Sequence, residues 1–423
     1  MRMLTARRVQ LCAAAIFSLA IFAAPASGDS PARSAVKGKL SDVEGLRILR
    51  VWGSPHEQGF AEGYLLGEDG AKLLDSYLGA QGEGAVKAYE VASVMMAGRM
   101  KILPRFKEEM EGMIEGLRAA HVGPVAVLGR PLEYRDLVAV NCIPETVRIG
   151  CSSFAAWGNR TKTGDTIAGR NLDWYANPAL KSSQVIVAHL ADGDCQGWVS
   201  VTWPGFLGCL TGMNADGVTV SVHDAPSQPA TDPSELTPRG FALREAIEAA
   251  HATSAVNDIT KVLRHRTSMV GSNIAVAMPF TGKGAASAVF EYDGVLDNVH
   301  GVTVRIGDAK DGATATCQVC TNHYRSRGAP ISCDRYERLS EDLSRLNSQK
   351  QPIDVAAAWE LLRDVAVSGR ILTYQGVVFE PNRKIMHVAV STDGRPAAQC
   401  KPVTLDVAAL LQVSSLATPS SGR

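Results

Sequence analysis

The chain has 423 residues, of which 46% are apolar and 6% aromatic, and its 43 Lys+Arg balance 43 Asp+Glu. That length carries one large mixed α/β core or two domains, and it excludes a mini-protein or a disulfide-built knot. With no basic excess, a phosphate backbone is a poor partner and no nucleic acid is expected.

At the N-terminus Arg2, Arg7 and Arg8 precede an apolar run from Val9 to Ala24 and then Pro25-Ala26-Ser27-Gly28. This is the order of a secretory signal, here residues 1–28, with an uncleaved anchor as the competing reading. The run is shorter than a membrane span of ~20 residues, and no later segment is long and apolar enough for one. Removing it takes away three positive charges and no negative ones, so the mature chain carries 40 against 43. A slightly acidic protein that is secreted or periplasmic, with no stable membrane span, is expected. Eight cysteines follow Cys12, an even number that permits disulfides in an oxidising compartment. If one of them must stay reduced for chemistry, an odd number is left to pair.

From about Leu46 to Val140 the pattern is helical, with apolar residues at three- and four-residue spacings in 59–77 and 101–120. After Gly150 it changes to short β-type runs at 153–157, 166–172, 184–190, 197–203, 208–213 and 218–223, separated by Gly, Asn and Asp turns. Helices are predicted at 239–250 and 254–264, strands at 273–278, 288–292, 302–306 and 316–321, helices at 334–346 and 355–366, and strands at 371–378 and 385–390. Blocks of strands alternating with blocks of helices predict sheets covered by helices. The serine-rich tail after Val413 reads as a frayed end.

The α-rich unit meets the sheet region at Arg148-Ile-Gly-Cys-Ser-Ser-Phe-Ala-Ala-Trp157. For a cysteine taken alone, the ordinary reading of Cys151 is a small buried side chain at a strand start. Its neighbours add weight to chemistry. Gly150 leaves the carbonyl before Cys151 uncrowded, so a thiol attacking its own preceding peptide bond meets little steric resistance. The strand after Cys151 runs to a turn at 159–165 and returns as Thr166-Ile-Ala-Gly-Arg-Asn-Leu-Asp173. Arms pairing about a centre near residue 162 bring Arg170 to Asp173 back beside Cys151. A guanidinium there favours a thiolate, and a carboxylate can hold an ammonium.

Gly150-Cys151-Ser-Ser-Phe followed by Gly169-Arg170-Asn171-Leu172-Asp173-Trp174 resembles the cysteine branch of the N-terminal nucleophile (Ntn) hydrolases, which contains penicillin acyltransferase, choloylglycine hydrolase and acid ceramidase. The likeness is strongest to the penicillin-acyltransferase-like peptidase C45 family. Trp52-Gly-Ser-Pro-His-Glu-Gln-Gly59 resembles that group's first helix, Thr211-Gly-Met-Asn-Ala-Asp-Gly217 its second active-site turn, and Thr321-Asn322-His-Tyr324 with Arg335-Tyr336 its last functional positions. The resemblance implies an αββα sandwich of two antiparallel sheets flanked by helices, of class α+β, preceded by an α-rich segment. It also implies a zymogen whose cysteine attacks the preceding carbonyl and cuts the chain between Gly150 and Cys151. Residues 29–150 would then form an α chain and 151–423 a β chain, the two remaining together. The freed α-amino group, with an ordinary pKa near ~8, can act as base for its own thiol. By the same likeness Asp173 holds that amine, Arg170 supports the thiolate, Asn214 and Asn322 donate to the oxyanion, and Arg335 shapes the site.

Each assignment has a plainer counterpart: a turn residue for Asn214, an ion pair for Arg170 and Asp173, a strand-end residue for Asn322, a solvated helix charge for Arg335. Trp174, Tyr175, Trp203 and Phe206 are candidates either for the walls of an apolar acyl pocket or for core packing. Cys317-x-x-Cys320-x-x-His323 with Cys333 has zinc-like ligand types but only one well-spaced gap. No metal and no cofactor is expected. The expected function is an exported, self-cleaving cysteine amidohydrolase or acyltransferase acting on a small N-acyl amide through a Cys151 thioester. The alternatives are a papain-like Cys/His hydrolase using His223 or His323, and an inactive secreted binding protein of the same fold.

Overall fold

The computed structural model describes residues 36–147, 150–227, 229–295, 301–307, 316–327 and 331–412. The signal-like segment 1–28, Arg148 and Ile149 of the junction, and the serine-rich tail lie outside the described residues. β1 (Gly38–Val43), which precedes the span read as helical, and β2 (Leu46–Val51), which departs from that reading, form an antiparallel hairpin through Glu44 and Gly45, both at positive φ. Leu46-Arg-Ile-Leu-Arg-Val51 is a short run whose periodicity does not separate a buried strand from a helix.

The helical layer follows as α1 (Pro55–Gly79), α2 (Glu83–Arg99), α3 (Pro104–Ala119) and α4 (Tyr134–Thr146). Ser54 and Glu57 form a reciprocal capping box and Pro55 occupies the first turn, which fixes where α1 starts. Helices α1 and α3 approach until their backbones touch. A Cβ at Gly63 would lie 2.1 Å from the Met113 carbonyl oxygen, and one at Gly112 would lie 2.1 Å from that of His56. Only glycine permits this contact.

The sheet region then runs β3 (Gly150–Ala156), β4 (Ile167–Tyr175), α5 (Pro178–Ser182), β5 (Val185–His189), β6 (Trp198–Thr202), β7 (Thr211–Asn214), β8 (Thr219–Asp224), β9 (Leu236–Thr237), α6 (Arg239–Ala249), α7 (Ala255–Arg264), β10 (Thr267–Ser268), β11 (Ser272–Ala277), β12 (Ser287–Tyr292), β13 (Val302–Arg305) and β14 (Cys317–Cys320). It closes with α8 (Asp334–Ser348), α9 (Val355–Asp364), β15 (Ile371–Glu380), β16 (Ile385–Val390), β17 (Val403–Asp406) and the short α10 (Val407–Leu410). Among the described residues one main sheet has the order β1-β2-β5-β6-β7-β8-β11-β12-β13 and the other β14-β3-β4-β15-β16-β17, with β9 and β10 forming a separate two-stranded parallel pair. Neighbours within both are antiparallel except β2 and β5, which run parallel.

Side-chain alternation assigns the faces. Ala155 and Ala168 of the second sheet meet Val199, Val201 and Met213 of the first. On the outer side of the second sheet, Phe154 and Ala156 pack on Leu339 of α8 and Leu361 of α9. Val220, Val222 and Ile274 of the first sheet pack outward on Leu243 and Ile247 of α6 and Ile259 of α7, while α1 covers Leu49, Val51, Val185 and Val187. This is a four-layer αββα sandwich.

Because the atoms facing Gly63 belong to backbone, Gly63→Ala is expected to cost about 1–3 kcal/mol or more by overpacking. Gly98 in α2 has nothing within 4 Å of its Cβ position, so Gly98→Ala should gain up to about 1 kcal/mol from helix propensity alone. Thermal unfolding of the two variants checks the contrast in sign.

Candidate active site

Cys151 lies in β3, fully buried, and pairs across the hairpin with Leu172, while Gly150 pairs with Asp173 and Ser153 with Arg170. A Cβ at Gly150 would sit 3.1 Å from Cβ and 3.2 Å from Oδ2 of Asp173, so the cysteine's N-terminal neighbour is pressed against that carboxylate. Strand alternation sends the two predicted charges to opposite faces. Arg170 projects between the sheets, where its Nη1 lies 3.8 Å from Cys151 Sγ. Its Nε donates to Thr211 Oγ1 at 2.7 Å and its Nη2 to the carbonyls of Leu210 and Val222, both at 3.2 Å.

Asp173 is 1% exposed and projects toward α8, accepting from Arg335 Nη1 at 2.7 Å and from Thr373 Oγ1 at 2.6 Å. Arg335 also donates through Nη2 to Asn322 Oδ1 at 2.8 Å, and the same oxygen accepts from the backbone N–H of Cys151 at 2.8 Å. Asn322 Nδ2 donates to the Asp224 carbonyl at 2.9 Å. Five of the six expected residues, Cys151, Arg170, Asp173, Asn322 and Arg335, thus form one continuous cluster.

Asn214 does not join it by hydrogen bonds. Its Nδ2 donates to the carbonyls of Ile247 and Ala250 at 2.8 and 2.7 Å, and its Oδ1 accepts from the N–H groups of Asp216 and Val218 at 3.1 and 2.9 Å. Both amide hydrogens are committed to α6 and the oxygen to the β7–β8 turn, so the turn reading describes its position. Sequence reasoning missed Thr211 and Thr373, the hydroxyls that orient Arg170 and Asp173; Thr211 stood inside the quoted turn motif, whereas Thr373 carries no local signal.

Burial pushes the Cys151 thiol up to about 11; Arg170 is the strongest pull downward, Asp173 and Asp224 push further up, and Arg335 pulls down. At neutral pH the chain therefore presents a protonated thiol. Burial also raises the Asp173 carboxyl, against the pulls of Arg335, Thr373 and Arg170. Among the described residues no imidazole hydrogen-bonds Cys151: His223 Nδ1 faces the Asn273 carbonyl at 3.3 Å.

Next to the cluster lies an apolar cavity with about 880 Å³ of empty space including its open mouth, bounded by Leu66, Leu74, Leu137, Trp174, Trp203 and Phe206 among others. Trp174 and Leu210 of its wall belong to the same packed cluster as Cys151 and Leu172. Of the four expected wall residues, Tyr175 is the exception. It is 43% exposed and faces away from the cavity, because strand alternation turns it opposite to Trp174. Among the described residues no group of three His, Cys, Asp or Glu side chains is arranged to hold a metal ion, and no helix is long and apolar enough to cross a membrane.

A cysteine that follows glycine on an inner strand of an αββα sandwich is the arrangement of the Ntn hydrolases. The chain belongs to the acyl-coenzyme A:6-aminopenicillanic acid acyl-transferase family, whose model matches residues 160–374, a span that begins just after Cys151 and includes Arg170, Asp173, Asn214, Asn322 and Arg335. It is 28% identical over 205 residues to protein dcd1B of Dictyostelium discoideum, covering 43% of this chain and 39% of that protein, and 24% identical over 202 residues to dcd1A of the same organism, covering 40% and 42%. The chain therefore spans about two fifths of the length of these curated relatives. Among solved structures it is similar to a Caenorhabditis elegans N-acylethanolamine-hydrolyzing acid amidase ortholog (23% identity, TM-score 0.43, covering 60% of this chain and 99% of that one). It is also similar to penicillin V acylase from Agrobacterium tumefaciens (16%, 0.42, 60% and 86%).

The Arg335–Asp173 pair is expected to couple strongly because Asp173 is buried. Arg335→Leu should cost on the order of 3 kcal/mol by leaving the carboxylate with Thr373 as its remaining hydrogen-bond partner. Asp173→Asn should recover part of that cost in the double variant. Denaturant unfolding of the two single variants and the double variant measures the coupling, and additive losses would refute it.

Proposed function

We propose that the chain is an exported, self-processing cysteine amidohydrolase or acyltransferase that cuts itself between Gly150 and Cys151. It then moves the acyl group of a small N-acyl amide to water or to an amine. The observation that carries this reading is the environment of the Cys151 backbone nitrogen. It lies fully inside the protein, within 2.8 Å of Asn322 Oδ1, with the Asp173 carboxylate packed against Gly150 on the other side of the bond to be cut. Once that bond is broken the same nitrogen would be an α-amine, with Asn322 Oδ1 as one acceptor and Asp173 as the proposed second.

In the first step Cys151 Sγ adds to the Gly150 carbonyl carbon, the C–N bond breaks, and the thiol proton passes to the departing nitrogen. Water then hydrolyses the thioester, leaving a Gly150 carboxylate and a free thiol. In turnover the α-amine takes the thiol proton as Sγ attacks a substrate amide and returns it to the leaving amine. Arg170 stabilises negative charge on sulfur; Asn322 Oδ1, with Arg335 behind it, holds the Cys151 nitrogen, and by the family likeness the Asn322 Nδ2, which bonds the Asp224 carbonyl in this structure, is the proposed oxyanion donor. Asn214, whose amide hydrogens bond Ile247 and Ala250, holds the β7–β8 turn in this structure. Family membership supports acyl transfer, and the apolar cavity suits an acyl group. The strand setting of Cys151 and the lack of an imidazole partner among the described residues favour this reading over a papain-like one. Export rests on the N-terminal run, residues 1–28.

The α and β chains would stay associated. Strand β2, on the α side of the cut, is hydrogen-bonded into the first sheet against β5, and Arg105–Glu248 and Arg244–Glu109 ion pairs join α3 to α6 at 2.5 and 2.8 Å. The wild-type protein is expected to give two fragments on a denaturing gel that elute as one species under native conditions, with an intact mass showing a cut before Cys151. Cys151→Ala should remain a single chain; two fragments from that variant would sink the self-cleavage reading.

A further inference from the structure

The apolar cavity contains a group that an acyl pocket does not need. Three ionisable side chains line it: Glu62 from α1, Asp136 from α4 and Tyr77 from the end of α1. Asp136 is fully committed, receiving two bonds from Arg130 at 2.6 and 2.9 Å, the Tyr89 hydroxyl at 3.1 Å and the Glu133 N–H at 2.8 Å. Glu62 is different. It is 2% exposed, and its one protein hydrogen bond is a long contact from the Gly205 N–H to Oε1 at 3.3 Å. No described residue donates to Oε2. Arg244 of α6, whose charge pulls on Glu62, is held by Glu109 of α3 and by Glu248, each at 2.8 Å. Burial first, and Glu109 second, push the Glu62 carboxyl up to about 8, so at neutral pH it is an uncharged O–H donor and acceptor.

A buried, half-satisfied carboxyl on the wall of a cavity otherwise built from leucine, tryptophan and phenylalanine loses free energy unless its occupant supplies a partner. We infer that Glu62 is a specificity-determining residue, and that the cavity takes acyl groups that are apolar along most of their length but carry one uncharged oxygen, a hydroxyl or keto group, placed to meet it. This rests on the acyl-transfer reading for the identity of the occupant but not for its test. An unsubstituted chain would leave the carboxyl proton without a partner, and sites built around a hydrogen bond discriminate against ligands that lack it. A cationic substituent is disfavoured because it would require the carboxyl to ionise beside Glu109.

The test is binding of free acids, which need no turnover. Decanoic acid and a series of hydroxydecanoic acids, each with one hydroxyl at a successive carbon, are titrated into the purified full protein by calorimetry. One position in the series should bind about tenfold more tightly than decanoic acid. The ratio should persist in Glu62→Gln, whose amide still donates and accepts, and collapse toward one in Glu62→Leu. Equal affinities across the series in the wild-type protein overturn the proposal, as does the absence of any binding. It is equally overturned by tighter binding of an amino-substituted acid, or by a ratio that survives Glu62→Leu and is lost in Tyr77→Phe. Preferred binding without hydrolysis of any decanoyl amide would leave the role of Glu62 standing and remove the hydrolase reading. Hydrolysis of plain and hydroxylated amides without preference would do the reverse.

Discussion

The site depends on one pairing, that of β3 with β4. Its register sets Gly150 opposite Asp173, Cys151 opposite Leu172 and Ser153 opposite Arg170. Because successive side chains of a strand point to opposite faces, Arg170 enters the space between the sheets while Asp173 turns toward the helix that carries Arg335. The thiol of Cys151 thus meets a guanidinium on one face of the sheet, while the residue before it meets a carboxylate on the other. Slipping the register by one residue would exchange the two faces and bring a carboxylate, not a guanidinium, toward the sulfur.

Much of this was legible in the residues. Turn formers between Asn159 and Asp165 place the hairpin centre near residue 162, and that prediction is local, so it does not depend on the rest of the fold. The later strands and helices fall close to their predicted positions for the same reason: each is bounded by its own Gly, Asn, Asp or cap residues. Leu46–Val51 was misread because a six-residue segment, four apolar residues interrupted by Arg47 and Arg50, has no decisive period, and its partner β5 lies far along the chain. Asn214 carried two signals, one for a turn and one borrowed from a likeness, and its hydrogen bonds to Ile247 and Ala250 accord with the turn. Thr373 reaches Asp173 from a strand two hundred residues on, and Glu62 reaches its cavity from a helix whose sequence reads as ordinary. Such long-range contacts leave no mark in local spacing.

The helical layer also sets limits on the cavity. Its α1 wall cannot move toward α3, because the glycine contacts between them already bring backbone against backbone. Room for a ligand is therefore fixed by the side chains of α1, α4 and the loop carrying Trp203 and Phe206, and not by adjustable helix spacing.

The parallel pairing of β2 with β5 bears on how the protein folds as well as on how it holds together. A strand from before Gly150 lies inside a sheet otherwise built from later residues, with only β1 beyond it. In the intact chain this insertion is an intramolecular loop closure, whose entropic cost grows only slowly with length. In a chain severed at Gly150 it becomes an association between two molecules and depends on their concentration. Maturation at that bond would turn a reversible folding reaction into a kinetically trapped one, with the native state maintained by the barrier to unfolding and not by easy refolding.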